Sequence, residues 1–196
     1  DTVVTATRTE QPLADLVADV SIVDRETIES SGATGLADVL ARLPGIEMGR
    51  SGGPGGNTSV FVRGAESRFA AVYVDGVRVD SQAGSGGTTW EAIPLAQIER
   101  IEVLRGPAAA VYGSDAVAGV IQIFTKKGEA GVAPYVGVGA GTHGTYRTEA
   151  GVSGARGTVD YALGLARETS NGFNAKLDGN PDRDDHRSTA ANGRLG

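Results

Sequence analysis

The chain has 196 residues, a formal net charge of −6 at pH 7 and no cysteine. This length is sufficient for one or two domains with a buried core. The acidic balance argues against a nucleic-acid partner, because such proteins use clustered lysines and arginines to neutralise phosphates. The lack of cysteine excludes disulfide frameworks and zinc–cysteine sites, and the 30 glycines indicate many turns and close backbone approaches.

The first residues, DTVVTATRTEQ, favour extended backbone but have no evident partner. Val3, Val4 and Thr5 are β-branched. No adjacent turn and second strand accompany them. The segment therefore has the pattern of a strand that lacks a partner.

The region up to about residue 128 has the pattern of a mixed α and β domain. A strand is predicted at Val20–Val23, followed by Asp24 as the N-cap of a short helix that ends at Gly32. A second short helix ends at Pro44-Gly45. Its apolar residues recur at helical spacing: Leu36, Val39, Leu40 and Leu43.

Two glycine-rich loops separate the strands in the rest of this region. The loop Arg50–Ser59 leads into the strand SVFVRG, and the loop that begins at Ser81 follows the strand-like AAVYVDGVRVD. Pro94 then opens a helical turn. The segments RIEVLRGP and GVIQIF predict two further apolar strands.

From about Gly128 onward the sequence alternates with a period of two. The alternating segments are YVGVGAG, YRTEAGVSG, TVDYALGLAR and the start of a fourth in RSTAANGRLG. Weak alternation of this kind is typical of transmembrane β-strands of about 9 to 11 residues, with a soluble antiparallel meander as the alternative. Four strands cannot close a barrel, and an open edge cannot stand in lipid. The membrane interpretation therefore predicts that the chain is part of a longer protein.

Sequence motifs offer little support for catalysis or nucleotide binding. Gly139–Gly144 matches G-x-G-x-x-G, but a strand-like segment follows it instead of the required helix. His143 and His186 are the only histidines, and neither has the spacing of a catalytic triad. We expect no enzyme activity and no nucleotide or redox cofactor.

Two arginines follow apolar strands and stand beside glycines. They are Arg63 in FVRG and Arg105 in VLRGP. We expect each guanidinium to be partly buried and to need carboxylate or carbonyl partners. Ordinary surface arginines are the alternative.

The segment LDGNPDRDDHR concentrates aspartates between Asp178 and Asp185, near Asn174. Carboxylate and amide oxygens are the ligands that Ca²⁺ prefers. The spacing does not match an EF-hand loop. At this point a calcium site and a solvated acidic loop are both open.

In their order and spacing, DTVVTATRTEQP, ADVLARLPGIEM, SVFVRG, VYVDGVRVD and the run from Ile98 to Ile123 resemble the plug domain of TonB-dependent outer-membrane receptors. The resemblance covers residues 1 to about 128 nearly continuously and extends more loosely to 196. It implies an α+β plug domain, with a small mixed sheet and short helices. The first three or four antiparallel strands of a transmembrane β-barrel follow, with 22 strands in the complete protein. The implied boundaries are 1–6 for the TonB box, 7–128 for the plug and 129–196 for the incomplete barrel.

Within the family, the sequence is most similar to the members that transport corrinoids (cobalamin). A siderophore or haem receptor is the alternative within the family, and a soluble glycine-rich binding module is the alternative outside it. The resemblance implies an outer-membrane location in a Gram-negative cell, with lipid around the barrel and the plug in its lumen. TonB, energised by the proton-driven ExbB–ExbD complex, would pair as an added strand with Asp1, Thr2, Val3, Val4, Thr5 and Ala6.

The resemblance also implies the binding residues of the plug. Arg63 and Arg105 match arginines that latch the plug to barrel glutamates, here beyond residue 196. The corrinoid would be bound by two apical loops, Arg50–Ser59 and Asp80–Trp90. The residues expected to contact it are Ser51, Gly52, Gly53, Gly55, Asn57, Ser59, Ser81, Gln82, Ser85 and Trp90.

Calcium is the one cofactor that the resemblance implies. Corrinoid-transporting members order their substrate site with calcium ions in external loops. The second external loop of this chain would be Thr169–Arg187. Asp182 and Asp184 match two of its aspartate ligands, and Asn174 replaces a third, which lowers the charge of the site.

Overall fold

A computed structural model gives the structure of this chain. It describes residues 19–52, 56–81, 87–106, 111–113, 115–174 and 185–196, and the backbone of 3–4 and 11–12. The chain divides into two units. The first unit comprises Asp1–Gly49, Ser59–Trp90 and Ile98–Thr125, and the second comprises Arg50–Thr58, Glu91–Gln97 and Lys126–Gly196.

A mixed sheet forms the centre of the first unit. The strands that the structure describes before residue 126 are β1 (Val3–Val4), β2 (Gln11–Pro12), β3 (Asp19–Val23), β4 (Ile46–Arg50), β5 (Thr58–Val62), β6 (Ala70–Val74), β7 (Val77–Arg78), β8 (Ile98–Arg105) and β9 (Gly119–Thr125). Five of them make the central sheet in the order β3-β8-β9-β6-β7, in which β6 and β9 are parallel and the other neighbours are antiparallel.

Two short helices, α1 (Arg25–Ser30) and α2 (Leu36–Leu40), follow β3. The predicted N-cap is confirmed, because the Thr27 amide donates to Asp24 Oδ1 at 2.8 Å. Hydrogen bonds from the side chain and the amide of Thr27 lower the pKa of the Asp24 carboxyl. Helix α2 ends earlier than its apolar spacing predicts, and Gly45 then reverses the chain with a φ of +69°.

Apolar side chains are buried on both faces of the central sheet. One face carries Val103 and Ile121, which are directly paired and fully buried. The other face carries a smaller cluster in which Leu104 and Val120 pack with Ala71, Tyr112 and Ala116. The largest fully buried side chains are Leu36, Leu40, Val60, Val62, Val72, Ile98, Ile101, Val103, Val120, Ile121 and Ile123. Burial of both faces explains why β9, GVIQIFT, has a nearly continuous apolar sequence.

The structure corrects the strand predictions at three places. The strand β4 forms with β5 a two-stranded sheet that begins before the predicted glycine-rich loop. The segment AAVYVDGVRVD is broken by the turn Asp75-Gly76, in which both residues have positive φ, as in a type I′ hairpin.

The third correction concerns the N-terminus. We expected Val3 and Val4 to lack a partner within the chain, and this expectation is wrong. Val3 lies opposite Pro12, and Val4 lies opposite Gln11, in an antiparallel ladder of two residues on each side. The sequence QP has no strand pattern, so propensity could not reveal this pairing.

The second unit contains four consecutive antiparallel strands, each hydrogen-bonded to the next. They are β10 (Gly131–Gly141), β11 (Thr145–Arg156), β12 (Val159–Ser170) and β13 (His186–Leu195). Each has 10 to 12 residues, which is the length of a strand that crosses a membrane at a tilt. The predicted alternation is confirmed, and the fourth segment forms a strand of 10 residues. The last change of unit along the chain falls between Thr125 and Lys126.

Candidate functional site

The sheet of the second unit has two chemically different faces. One face exposes large apolar side chains, including Val136, Val138 and Leu165. The other face carries polar and small residues, among them the cross-strand neighbours Arg147 and Glu168, whose Nη2 and Oε2 atoms are 2.7 Å apart. A broad exposed apolar surface favours contact with an apolar medium or partner. Among the described residues, no helix is long and apolar enough to span a membrane.

On the polar face, one row of residues crosses all four strands in register: Tyr135, Gly151, Gly164 and Asn192. The Tyr135 ring covers Gly151, where a Cβ atom would lie 2.4 Å from Tyr135 Cε1. A Cβ atom at Gly164 would lie 2.9 Å from the Tyr135 hydroxyl, 2.7 Å from Asn192 Oδ1 and 3.5 Å from Gln97 Nε2. The glycines therefore create the groove that holds the ring, and the segment containing Gln97 lies over it.

The first apical loop lies between β4 and β5. Its ends are joined, because the Ser51 amide donates to the Asn57 carbonyl at 3.0 Å. Ser51, Gly52 and Asn57 are exposed and Ser59 is half-buried. The side of the loop that carries Ser51, Gly52 and Asn57 is therefore accessible on this chain. The predicted contacts Gly53 and Gly55 lie outside the described residues.

The second apical loop follows β7 and is closed by Ser81 and Gly87, whose amides and carbonyls are paired at 2.8 and 2.9 Å. Ser81 is exposed. Trp90 is only 5% exposed, so its ring has little surface left for a ligand. The other predicted contacts in this loop, Gln82 and Ser85, lie outside the described residues.

The two predicted latch arginines meet at one carboxylate, that of Asp19. The Arg105 side chain is only 2% exposed, and its Nη1 atom donates to Asp19 Oδ1 at 3.2 Å and to Ser21 Oγ at 2.9 Å. Arg63, which is half exposed, donates to Asp19 Oδ2 at 2.5 Å. These contacts tie Asp19, the first residue of β3, to both arginines. Sequence reasoning expected carboxylate partners for the arginines but did not identify this residue, because 44 or more positions separate it from both.

Two Arg105 nitrogen atoms, Nε and Nη2, are buried without a hydrogen-bond partner in the part of the chain that the structure describes. An unpaired donor of a buried guanidinium is energetically costly. Arg105 can therefore donate hydrogen bonds to a further oxygen atom.

Of the predicted calcium ligands, Asn174 is among the described residues. Asp182 and Asp184 lie outside the described residues. Asn174 is exposed, and the segment before it is tied to the turn between β10 and β11, because the Asn171 amide donates to the His143 carbonyl at 3.0 Å. Within the described ranges, no group of three or more histidine, aspartate or glutamate residues could hold a metal ion.

The chain belongs to a known family of receptors. The profile of the TonB-dependent receptor plug domain matches residues 12–120, more than half of the chain. Together with the antiparallel strands that follow, this match confirms the predicted fold class, a plug domain followed by part of a barrel. It also removes the alternative of an unrelated glycine-rich binding module.

Two relatives share the name vitamin B12 transporter BtuB. The protein of Vibrio vulnificus is 44% identical over 179 residues, which cover 89% of this chain and 28% of the relative. That of Photobacterium profundum is 42% identical over 175 residues, with the same coverage. Among solved structures, the siderophore receptor PirA from Acinetobacter baumannii has a TM-score of 0.71 at 26% identity, covering 90% of this chain and 29% of that chain. The chain thus spans under a third of the length of these proteins.

Replacing Asp19 with alanine should destabilise the first unit, because the buried Arg105 charge loses its carboxylate. We expect the free energy of unfolding to fall by about 2–3 kcal/mol, below the full cost of breaking a buried pair because Asp19 is half exposed. Urea unfolding followed by the fluorescence of Trp90, the only tryptophan, measures the change. The control Glu29→Ala removes the exposed pair with Arg25 and should cost under about 0.5 kcal/mol. Equal losses in the two variants would contradict the assignment.

Proposed function

We propose that the protein containing this chain takes up a corrinoid across the outer membrane of a Gram-negative cell, with energy supplied through TonB. The observation that carries the proposal is the 42–44% identity, over 89% of this chain, to two proteins named vitamin B12 transporters. The siderophore receptor named above is 26% identical over a similar range. A siderophore receptor is therefore the second candidate, supported by the shared fold.

The location in the outer membrane is supported by the second unit. Its exposed apolar side chains alternate with polar ones along strands of 10 to 12 residues. In a transmembrane barrel, the apolar face contacts lipid and the other faces the lumen. The exposed apolar face of β10 to β13 is thus the surface proposed to contact lipid.

The proposed contact with TonB is the segment Asp1–Ala6, to which the partner would add a strand. The internal ladder of Val3 and Val4 has two residues, and Pro12 contributes no N–H donor to it. A longer strand from TonB would offer more main-chain hydrogen bonds than this ladder does. The ExbB–ExbD complex would supply the energy through TonB.

The proposed ligand surface consists of the apical loops, with the accessible residues Ser51, Gly52, Asn57 and Ser81. Small polar side chains and glycines let backbone groups approach a large ligand. Neither apical loop contains histidine or cysteine. We therefore propose that an intact corrinoid is bound by shape and hydrogen bonds.

The latch and the calcium site complete the proposal. Arg105, whose Nε and Nη2 atoms have no partner in the described part of the chain, would donate hydrogen bonds to glutamate oxygens from beyond residue 196. Asp182, Asp184 and Asn174 would contribute to a calcium site in the second external loop, which orders the corrinoid-binding surface.

Ligand titration of the full-length receptor tests the proposed substrate. Cyanocobalamin, ferric siderophores and haem are each added while intrinsic fluorescence is followed. We expect cyanocobalamin to quench the fluorescence at the lowest concentration. Its Kd should be at least about a hundredfold lower than the Kd of the ferric siderophores and of haem. Binding of a siderophore or haem without binding of the corrinoid would overturn the proposal in favour of the second candidate.

Replacing Val4 with proline should abolish energised uptake and leave corrinoid binding intact, because proline removes a main-chain donor from the strand offered to TonB. The matched control Val4→Thr keeps both the N–H group and the β-branch. We expect uptake by the proline variant to fall by about tenfold or more, while the Kd of both variants stays at the wild-type value. Normal uptake with proline would show that the TonB box lies elsewhere.

Calcium should raise the affinity of the full-length receptor for cyanocobalamin, and the double substitution of Asp182 and Asp184 by alanine should remove this effect. The reason is the loss of two carboxylate ligands from a site that needs six to eight oxygens. The control Asp178→Ala removes a carboxylate of the same acidic segment. An identical calcium response in the wild type and the double variant would indicate a solvated loop.

A further inference from the structure

Arg78, the last residue of β7, joins two carboxylates from separate parts of the first unit. Its Nε and Nη2 atoms bind Asp80 Oδ1 and Oδ2, each at 2.9 Å, and its Nη1 atom binds Asp115 Oδ2 at 3.2 Å. A forked arginine–carboxylate pair is strong and fixes the orientation of both groups. The hydrogen bond to Asp80 raises the pKa of Arg78 above its usual value, so the guanidinium stays charged.

Asp80 is the inner partner, and its side chain is 0% exposed. Its Oδ1 atom also accepts a hydrogen bond from the Val72 amide at 2.9 Å. Val72 lies in β6, which is hydrogen-bonded on both sides within the central sheet. Asp80 is thus tied both to the sheet and to Arg78, and it has no surface with which to contact a ligand.

The residue after Asp80 is Ser81, which closes the second apical loop. Ser81 and Gly87 exchange two main-chain hydrogen bonds, at 2.8 and 2.9 Å. The position of this loop base follows from the position of Asp80, since one peptide bond separates the two residues. The outer partner of Arg78, Asp115, lies in the connection between β8 and β9.

We propose that Arg78 and Asp80 are positioning residues for corrinoid binding, which hold the Ser81–Gly87 loop base in the arrangement that the ligand requires. This inference rests on the proposed function, because it assigns the second apical loop to the ligand. Asp80 acts through Ser81 and not by touching the ligand. Asp115 supports Arg78 from the β8–β9 connection.

The same sheet contains a matched pair for comparison, Arg100 and Glu102. The Nε atom of Arg100 binds Glu102 Oε1 at 2.8 Å, again between residues two apart. The arginines of both pairs are 31% exposed, and Glu102 is 3% exposed. This pair lies within β8 and closes no loop. A purely structural role would make the two pairs equally important for stability and equally unimportant for ligand affinity.

The first experiment compares Arg78→Lys and Asp80→Asn with Arg100→Lys and Glu102→Gln in the full-length receptor. Lysine cannot form the fork, and asparagine keeps the shape of aspartate but loses its charge. We expect the first two substitutions to raise the Kd for cyanocobalamin by about tenfold, with the uptake rate at saturating ligand within about twofold of wild type. The control pair should leave the Kd within about twofold, although thermal stability falls to a similar degree. Equal effects of both pairs on the Kd would overturn the proposal.

The second experiment needs no ligand. Amide hydrogen exchange of the full-length receptor reports on the Ser81 and Gly87 amides, which are protected by their mutual hydrogen bonds. We expect Asp80→Asn to accelerate exchange at both amides by about tenfold and Glu102→Gln to leave it unchanged. Faster exchange in a receptor that binds no cyanocobalamin would uphold the positioning of the loop base while contradicting the proposed ligand. Unchanged exchange at both amides would overturn the positioning role itself.

Discussion

The parallel pairing of β6 with β9 is the interaction on which the first unit depends. Ala70 lies opposite Gly119 and Val74 lies opposite Ile123, although about 50 residues of chain separate the two strands. Closing so long a connection costs conformational entropy, which the burial of Val72, Val120 and Ile121 on the two faces offsets. The pairing also brings the ends of both strands together. At one end, Asp75 Oδ1 accepts from the Thr125 amide at 3.0 Å.

At the opposite end of the same pair, the chain assembles the base of an apical loop. Strand β7 runs antiparallel to β6, with Arg78 opposite Tyr73, and therefore returns toward the starts of β6 and β9. Asp115 precedes the start of β9 by four residues. The contact of Arg78 with Asp115 is thus a consequence of strand directions. Its contact with Asp80 is local, because the two residues are only two positions apart.

Each unit contains side chains that can be packed only because of particular neighbouring residues. In the first unit, Arg105 and Arg78 are each held by carboxylates that are distant in sequence or buried, and the cost of their desolvation is offset by directional hydrogen bonds. In the second unit, Gly151 and Gly164 leave room on the polar face for the Tyr135 ring, which spans two neighbouring strands. A methyl group at Gly151 would also approach the Leu163 carbonyl to 2.5 Å, so the groove requires the absence of a side chain.

The sequence by itself determined the features that depend on neighbouring residues. Asp24 was predictable as an N-cap because its acceptor and the Thr27 amide are three positions apart, and the alternation of β10 to β13 was predictable because side-chain direction has a period of two. The family resemblance identified the residues of the apical loops, but it did not predict which of them are exposed. Only the tertiary structure decided that Asp19 binds both arginines, that Trp90 is buried and that Val3 pairs with Pro12. These outcomes depend on which distant segments meet, and local propensity and periodicity carry no information about that choice.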